Sequence, residues 1–229
     1  MNKGFHRVPS RNLLAVALLA SQWLFAQSEH PLTGRHIAPV MSAAGAGWLD
    51  RSEREREEQP AKALDLIGIQ PGMIVGDVGA GTGYMTLRIA KRVGVTGRVY
   101  ANDIQPEMLD KLAENAQREN LRNIETVLGS EADAKLPPGK LDLVLLVDVY
   151  HEFSRPEEML QSIRRALKPD GRLVLLEYKK EDPSIPIRAD HKMSLYEIKT
   201  EVEAEGYRLD KVIDTLTRQH IVIFRKLTM

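Results

Sequence analysis

The stretch LDLVLLVDV, residues 141–149, constrains the fold more than any other. Its apolar residues run almost without interruption instead of alternating with polar ones. A strand of this kind must be covered on both faces, which predicts a central position in a parallel sheet with helices above and below. The surrounding sequence supplies the rest. After the turn at Gln70, Pro71 and Gly72, strand and helix patterns alternate. MIVGDV (73–78) reads as a first strand, followed by a helix over 81–93 that turns Leu87, Ile89 and Ala90 inward. GRVYAND (97–103) is a second strand. The helix after it, within 105–120, starts near Pro106 and places Met108, Leu109, Leu112, Ala113 and Ala116 on one face. NIETVLG (123–129) is a third strand, and 141–149 is the fourth. A helix over 155–171 is expected to end at Pro169 and Gly171, before a fifth strand, RLVLLEYK (172–179).

The last third reads differently. Ser194 is an N-cap candidate with Glu197 three residues on, opening a helix over 194–205. YRLDKVID (207–214) and HIVIFRK (220–226) are strands joined by a few residues, and so short a connection makes them an antiparallel pair. Upstream, the charged run RSEREREE (51–58) is expected to be helical with a solvated face. Pro60 begins a second helical piece that buries Ala63, Leu64 and Ile67.

At 229 residues the chain suits one domain with an N-terminal extension. Lys plus Arg and Asp plus Glu both number 32, so no nucleic-acid or acidic partner is expected. Cysteine is absent, which excludes disulfides, cysteine zinc sites and a thiol nucleophile. Lys3, Arg7 and Arg11 precede an apolar run, NLLAVALLASQWLFA (12–26), that is short for a membrane span. That layout predicts a secretory signal peptide or signal anchor over 1–26, with Ala26 as the last residue before cleavage, although Leu24 stands where a smaller residue is preferred. The expectation is export, periplasmic or membrane-anchored, with membrane contact only through this segment. A mis-started or retained N-terminus would instead leave the protein cytoplasmic. Residues 27–58 are expected to form a linker and lid, and 59–229 the main domain.

VGDVGAGTGY (75–84) lies where the first strand ends, the usual ligand position in such sheets. A phosphate-cradling loop would continue with Gly-Lys-Ser/Thr, but Tyr84 follows Gly83. A dinucleotide loop would place its third glycine at Tyr84 or Thr86. The remaining reading is S-adenosylmethionine, which has ribose but no phosphate and carries an ammonium that an acid suits. Asp77 supplies that acid. Asp103 ends the second strand, where a carboxylate can accept hydrogen bonds from ribose hydroxyls.

These segments resemble the class I S-adenosylmethionine-dependent methyltransferases. VGDVGAGTGY is similar to that family's first motif and VYANDIQPEML to its second. LPPGKLDLVLLVDVYHEF and LKPDGRLVLLEY resemble its fourth- and fifth-strand regions. The resemblance spans about residues 59–226. It implies an α/β, Rossmann-like doubly wound sheet of seven strands, order 3-2-1-4-5-7-6 with strand seven antiparallel, carrying an N-terminal helical extension. It implies that Gly79, Ala80, Gly81, Thr82 and Gly83 line the cofactor and that Asp77 sits near its amino group. It further implies that Asp103 binds ribose, Ile104 lies against adenine, and Asp148 faces the cofactor. The acid that often follows strand three is replaced by Ser130, which leaves Glu131, or else Asp133, for the adenine edge.

The acceptor is expected beyond strands four and five. Tyr150, His151 and Glu152 follow strand four, and His151 is the best-placed base or orienting residue, with a structural role as the competing reading. The loop 177–194 contributes Glu177, Tyr178, Arg188, His191 and Lys192 as a cover. His151, Glu152 and His191 could form a metal site, but their separation carries no ligand-spacing signal, and none is expected. His220 reads as a packed residue. Trp48 and GRHIAPV (34–40) are candidates to close over the cofactor. The expected activity is methyl transfer to a small-molecule oxygen, nitrogen or carbon. An exported, non-catalytic binding module is the alternative.

Overall fold

The structure is a computed structural model and describes Met1 and residues 28–227. The expected signal segment, 1–26, otherwise lies outside the described residues. From residue 28 an extended strap leads through a short turn (Ala43–Gly45) into three helices: α1 (Ala46–Leu49), α2 (Arg54–Glu58) and α3 (Pro60–Ile67). Then follow β1 (Ile74–Val78), α4 (Tyr84–Val93), β2 (Arg98–Asp103), α5 (Pro106–Arg118), β3 (Ile124–Leu128) and β4 (Leu141–Val147). The chain continues with α6 (Pro156–Ala166), β5 (Leu167–Tyr178), α7 (Leu195–Ala204), β6 (Tyr207–Ile213) and β7 (Gln219–Lys226). No helix among the described residues is long and apolar enough to cross a membrane.

The seven strands form one sheet in the order β3-β2-β1-β4-β5-β7-β6. The pairs among β1 to β5 are parallel, and β7 runs antiparallel to both β5 and β6. In β4, Leu143, Val144, Leu145 and Leu146 are all fully buried, and they divide between two cores. Val144 and Leu146 join α6 and α7 on one face; Leu143 and Leu145 join α3 and α4 on the other. The unbroken apolar run therefore reflects cover on both sides.

Helix starts follow the local chemistry. Pro60, Pro106 and Pro156 each occupy a first helical position, where their missing N–H costs nothing. Ser194 and Glu197 form a reciprocal capping box on α7. Several expectations need correction. Helix α4 begins at Tyr84 and not at Gly81, because Gly81 and Gly83 take left-handed conformations that helix interiors exclude. Helix α6 ends at Ala166, since Leu167 already pairs with Leu141; Pro169 and Gly171 lie in an irregular stretch of β5 where the register shifts. Ala113 is exposed on α5. The charged run is not simply solvated, because Arg54 and Glu58 are buried as an i,i+4 ion pair.

The strap is fastened by charge. Arg35, 4% exposed, donates from Nε to Glu201 Oε1 at 3.1 Å and from Nη2 to Oε2 at 2.9 Å. Its Nη1 donates to the carbonyl of His151 at 3.1 Å, and Ala38 N donates to the same oxygen at 3.0 Å. The strap thus links α7 to the turn after β4. Removing one partner of a buried pair leaves an uncompensated charge, so Arg35→Ala should cost about 3–5 kcal/mol. Equilibrium urea unfolding checks this. An Arg35→Met, Glu201→Leu double substitution should cost less than the single one.

Candidate functional site

A cavity of about 550 Å³ opens beyond the carboxyl ends of β1, β2, β4 and β5. Its floor is the glycine turn after β1. Gly79 N and Ala80 N both donate to the Asn102 carbonyl at 2.9 Å, which pins the turn to β2. Gly79 has φ +74°, and a Cβ there would lie 2.4 Å from Val149 Cγ2. Only glycine permits both the conformation and the contact between this turn and the segment after β4. Ala80, Gly81 and Thr82 line the cavity. Gly83 does not. It caps α4, and a Cβ there would meet Leu112 Cγ at 2.8 Å, so its role is close packing against α5.

Two acids stand at the strand ends. Asp77 is 2% exposed, and its Oδ2 accepts a hydrogen bond from Thr86 Oγ1 at 2.5 Å. Burial pushes its carboxyl up to about 6, against the Thr86 bond and the nearby Arg54 charge. Asp103 accepts from Gly81 N at Oδ2 and from Gln105 N at Oδ1, both at 2.9 Å. Burial raises it too, opposed by those backbone donors. Each oxygen keeps a lone pair for a further donor. Ile104 lines the same wall, half-buried, and Glu131 lies exposed at the rim.

Asp148 has φ +49° and lines the cavity between the strands. Its Oδ2 accepts from Gln219 Nε2 at 2.8 Å, while its Oδ1 is buried with no partner among the described residues. Burial, with Glu58 and Glu177 nearby, holds its carboxyl well above the usual range. An unpaired buried acceptor beside the cavity suits a cationic ligand group.

Just after Asp148, the turn Tyr150–Glu152 decides which side chains face in. His151 does. Its Nδ1 lies 2.7 Å from Glu177 Oε2, and its Nε2 lies 3.1 Å from His191 Nδ1. Burial lowers the His151 pKa, but the Glu177 carboxylate outweighs this and raises it. Glu152 accepts from Met41 N at 3.3 Å, and burial pushes its carboxyl up to about 7. Tyr150 does not reach the site, contrary to expectation. It is fully buried, packs edge-on against Phe153, and lies under the Arg35 guanidinium. Its hydroxyl has no partner among the described residues.

The covering loop supplies Pro186, Ile187, Arg188 and His191, and the strap supplies residues 39–41. Lys192 instead donates to the Ile185 and Asp182 carbonyls. His220 is buried away from the cavity, between Glu181 and Asp214. Trp48 lines the edge with Arg51 stacked on its ring. The charged run hid a further wall. Arg54 pairs with Glu58 at 2.5 Å and lies over the Tyr84 ring, and Tyr178 Oη donates to Glu58 at 2.7 Å. The i,i+4 spacing of Arg54 and Glu58 was the available signal, but exposed pairs share it.

A family model described as "Methyltransferase domain" matches residues 69–219. The chain belongs to this methyltransferase family. The cavity fits S-adenosylmethionine as its cofactor. The free lone pairs of Asp103, the glycine turn and the unpartnered Asp148 oxygen match ribose, close approach and an ammonium. The ubiquinone/menaquinone biosynthesis C-methyltransferase UbiE of Hydrogenovibrio crunogenus is 34% identical over 119 residues, 52% of this chain and 47% of that protein. The UbiE of Escherichia fergusonii is 35% identical over 124 residues, 51% and 47%. The chain spans about half the length of these curated relatives. The crystal structure of a SAM-dependent methyltransferase from Aquifex aeolicus superimposes with TM-score 0.78 at 28% identity, covering 82% of this chain and all of that one. A chain of the complex between the Haloferax volcanii Trm112 methyltransferase activator and a methyltransferase shares the fold, with TM-score 0.64 at 19% identity over 81% of this chain and 97% of that one.

The methyltransferase's glycine turn makes a direct prediction. Gly79→Ala should destabilise the protein by more than about 1 kcal/mol, because it adds backbone strain to the Val149 clash. Adding Val149→Ala should recover only the part of the clash made by the two methyls, because the Cβ of residue 149 stays 2.9 Å from the added one. Thermal and urea unfolding of the two variants would separate the contributions.

Proposed function

We propose that this enzyme methylates a small molecule carrying an ionisable hydroxyl, amine or activated carbon, bound between the strap and the 186–191 loop. One observation carries the reading. A single cavity is lined both by the ribose-type carboxylate of Asp103 and by the His151, Glu152 and His191 side chains. Bound S-adenosylmethionine supplies an electrophilic methyl on a sulfonium. The protein's part is to hold donor and acceptor in line, which supplies much of such a rate.

Asp103 accepts the ribose hydroxyls, and Ile104 covers the base. Asp77 and Asp148 take the ammonium of the methionine tail. Arg54, held by Glu58, offers positive charge to its carboxylate. The apolar side chains of Met41, Val149, Phe153, Met159 and Ile187 exclude water from the acceptor half. His151 Nε2 orients the acceptor or receives its proton, and Glu177 fixes the tautomer by holding Nδ1. The names of the UbiE relatives, C-methyltransferases of quinone biosynthesis, support a small aromatic acceptor. Transfer of labelled methyl from S-adenosylmethionine to a panel of small phenols and quinols, with Asp103→Ala as control, tests the reading. Label in no small molecule, with label in protein or nucleic acid, would contradict it.

Asp77 gives a pH dependence with a defined sign. Its carboxyl titrates near 6 in the folded protein, and only the ionised form attracts an ammonium. Affinity for S-adenosylmethionine should be level above pH 7 and fall about tenfold per unit well below 6. Asp77→Asn should bind more weakly at pH 7.5 and lose most of that slope. Isothermal titration from pH 5 to 8 checks both.

A further inference from the structure

His151 and Glu152 follow β4, and His191 ends a short turn (Ala189–His191) in the loop after β5. Forty residues separate the two histidines. The fold nevertheless brings one donor atom from each of His151, Glu152 and His191 within 4.8 Å of one another.

The lone pairs are set for a cation. Glu177 accepts hydrogen bonds, so the neutral His151 ring carries its proton on Nδ1 and its lone pair on Nε2. That lone pair meets His191 Nδ1 at 3.1 Å. Two nitrogens bound to one cation at about 2.0–2.1 Å lie roughly 3.0 Å apart at a right angle and about 3.3 Å apart at a tetrahedral angle. The observed spacing falls between. Glu152 Oε1 is 4.0 Å from His191 Nδ1, and with the three donor atoms within 4.8 Å of one another a side-chain shift of about 1–2 Å joins them.

The outer contacts point the same way. A metal-bound imidazole usually gives its other N–H to a carboxylate, which fixes the ring and raises its basicity. Glu177 fills that position and is fully buried, with its other oxygen accepting from Tyr150 N at 2.9 Å. Glu152 is also held, by Met41 N. Two imidazoles and one carboxylate suit a borderline first-row ion and leave coordination positions open. An all-oxygen ion such as magnesium would not select this set.

We propose that His151 Nε2, His191 Nδ1 and a Glu152 carboxylate oxygen bind one first-row divalent cation whose open positions face the acceptor half of the cavity. The cation's role rests on the methyl-transfer reading, but its binding does not. With the cation bound, the His151 Nε2 lone pair is a ligand and no longer takes the acceptor's proton; an acceptor hydroxyl bound to the cation would release its proton to solvent more readily. Its oxygen would then form the new bond to the methyl carbon as the carbon–sulfur bond breaks, with that electron pair going to sulfur.

Cobalt(II) chloride titrated into the untagged full chain, followed by visible absorption, tests the site. One equivalent should give the intense d–d bands of a four- or five-coordinate ion, and zinc chloride should erase them. His191→Ala and Glu152→Gln should each abolish the bands, while the exposed His36→Ala should keep them. Glu177→Gln should weaken binding about 10–100-fold. His191 lies on a covering loop, so a folded His191→Ala protein is expected, and its circular dichroism verifies this. Bands absent from the wild type, or unchanged in His191→Ala, would overturn the proposal. Isothermal titration with S-adenosylhomocysteine on the same samples reads the cofactor half independently, so failure of the cation site and failure of the methyltransferase reading remain distinct results.

Discussion

The acceptor half of the molecule depends on one buried carboxylate. Glu177 lies near the end of β5, fully excluded from water. A charge in that position is costly unless each oxygen is satisfied. One oxygen takes the backbone N–H of Tyr150, and the other takes the ring N–H of His151. Together these bonds fold the segment after β4 into a tight turn and aim the second ring nitrogen of His151 into the cavity. The same turn accepts the strap, because the His151 carbonyl receives both Arg35 and Ala38. Glu177 therefore sets a side chain, a turn and the docking of the N-terminal segment at once.

The cofactor half rests on a steric constraint instead. Gly79 leaves no room for a side chain against Val149, so the turn after β1 and the segment after β4 are in direct contact. Methyl transfer requires donor and acceptor at a fixed separation, and this contact supplies a rigid link between the two halves. Acidic groups are then grouped where a cationic ligand portion would sit. Asp77 and Asp148 both have carboxyls raised by burial, and Arg54 is balanced by Glu58 beside them. Such a group of partly compensated charges is costly without ligand and favourable with it.

Much of this was legible in the sequence where the cause was local. The apolar run of β4, the capping box of α7 and the short link between β6 and β7 each state a physical requirement within a few residues. Asp103 was legible because it ends a strand at a fixed distance from the glycine turn. What stayed hidden depended on phase or on distant contacts. Tyr150 and His151 are neighbours, and only the turn held by Glu177 sends one into the core and the other to the cavity. Arg54 and Glu58 resemble a solvated pair until the fold encloses them. Gly83 belongs to the motif but packs against Leu112. His191 approaches His151 only because the loop after β5 folds back over the sheet end.

In the proposed reaction one cavity holds both the methyl donor and the acceptor, with the reacting sulfur between them. A crystal structure with S-adenosylhomocysteine tests it most directly. The ribose hydroxyls should lie on Asp103, the amino group near Asp77 and Asp148, and the sulfur should open to the side where His151 and His191 stand. Ribose bound away from Asp103, or a sulfur turned away from those histidines, would contradict it.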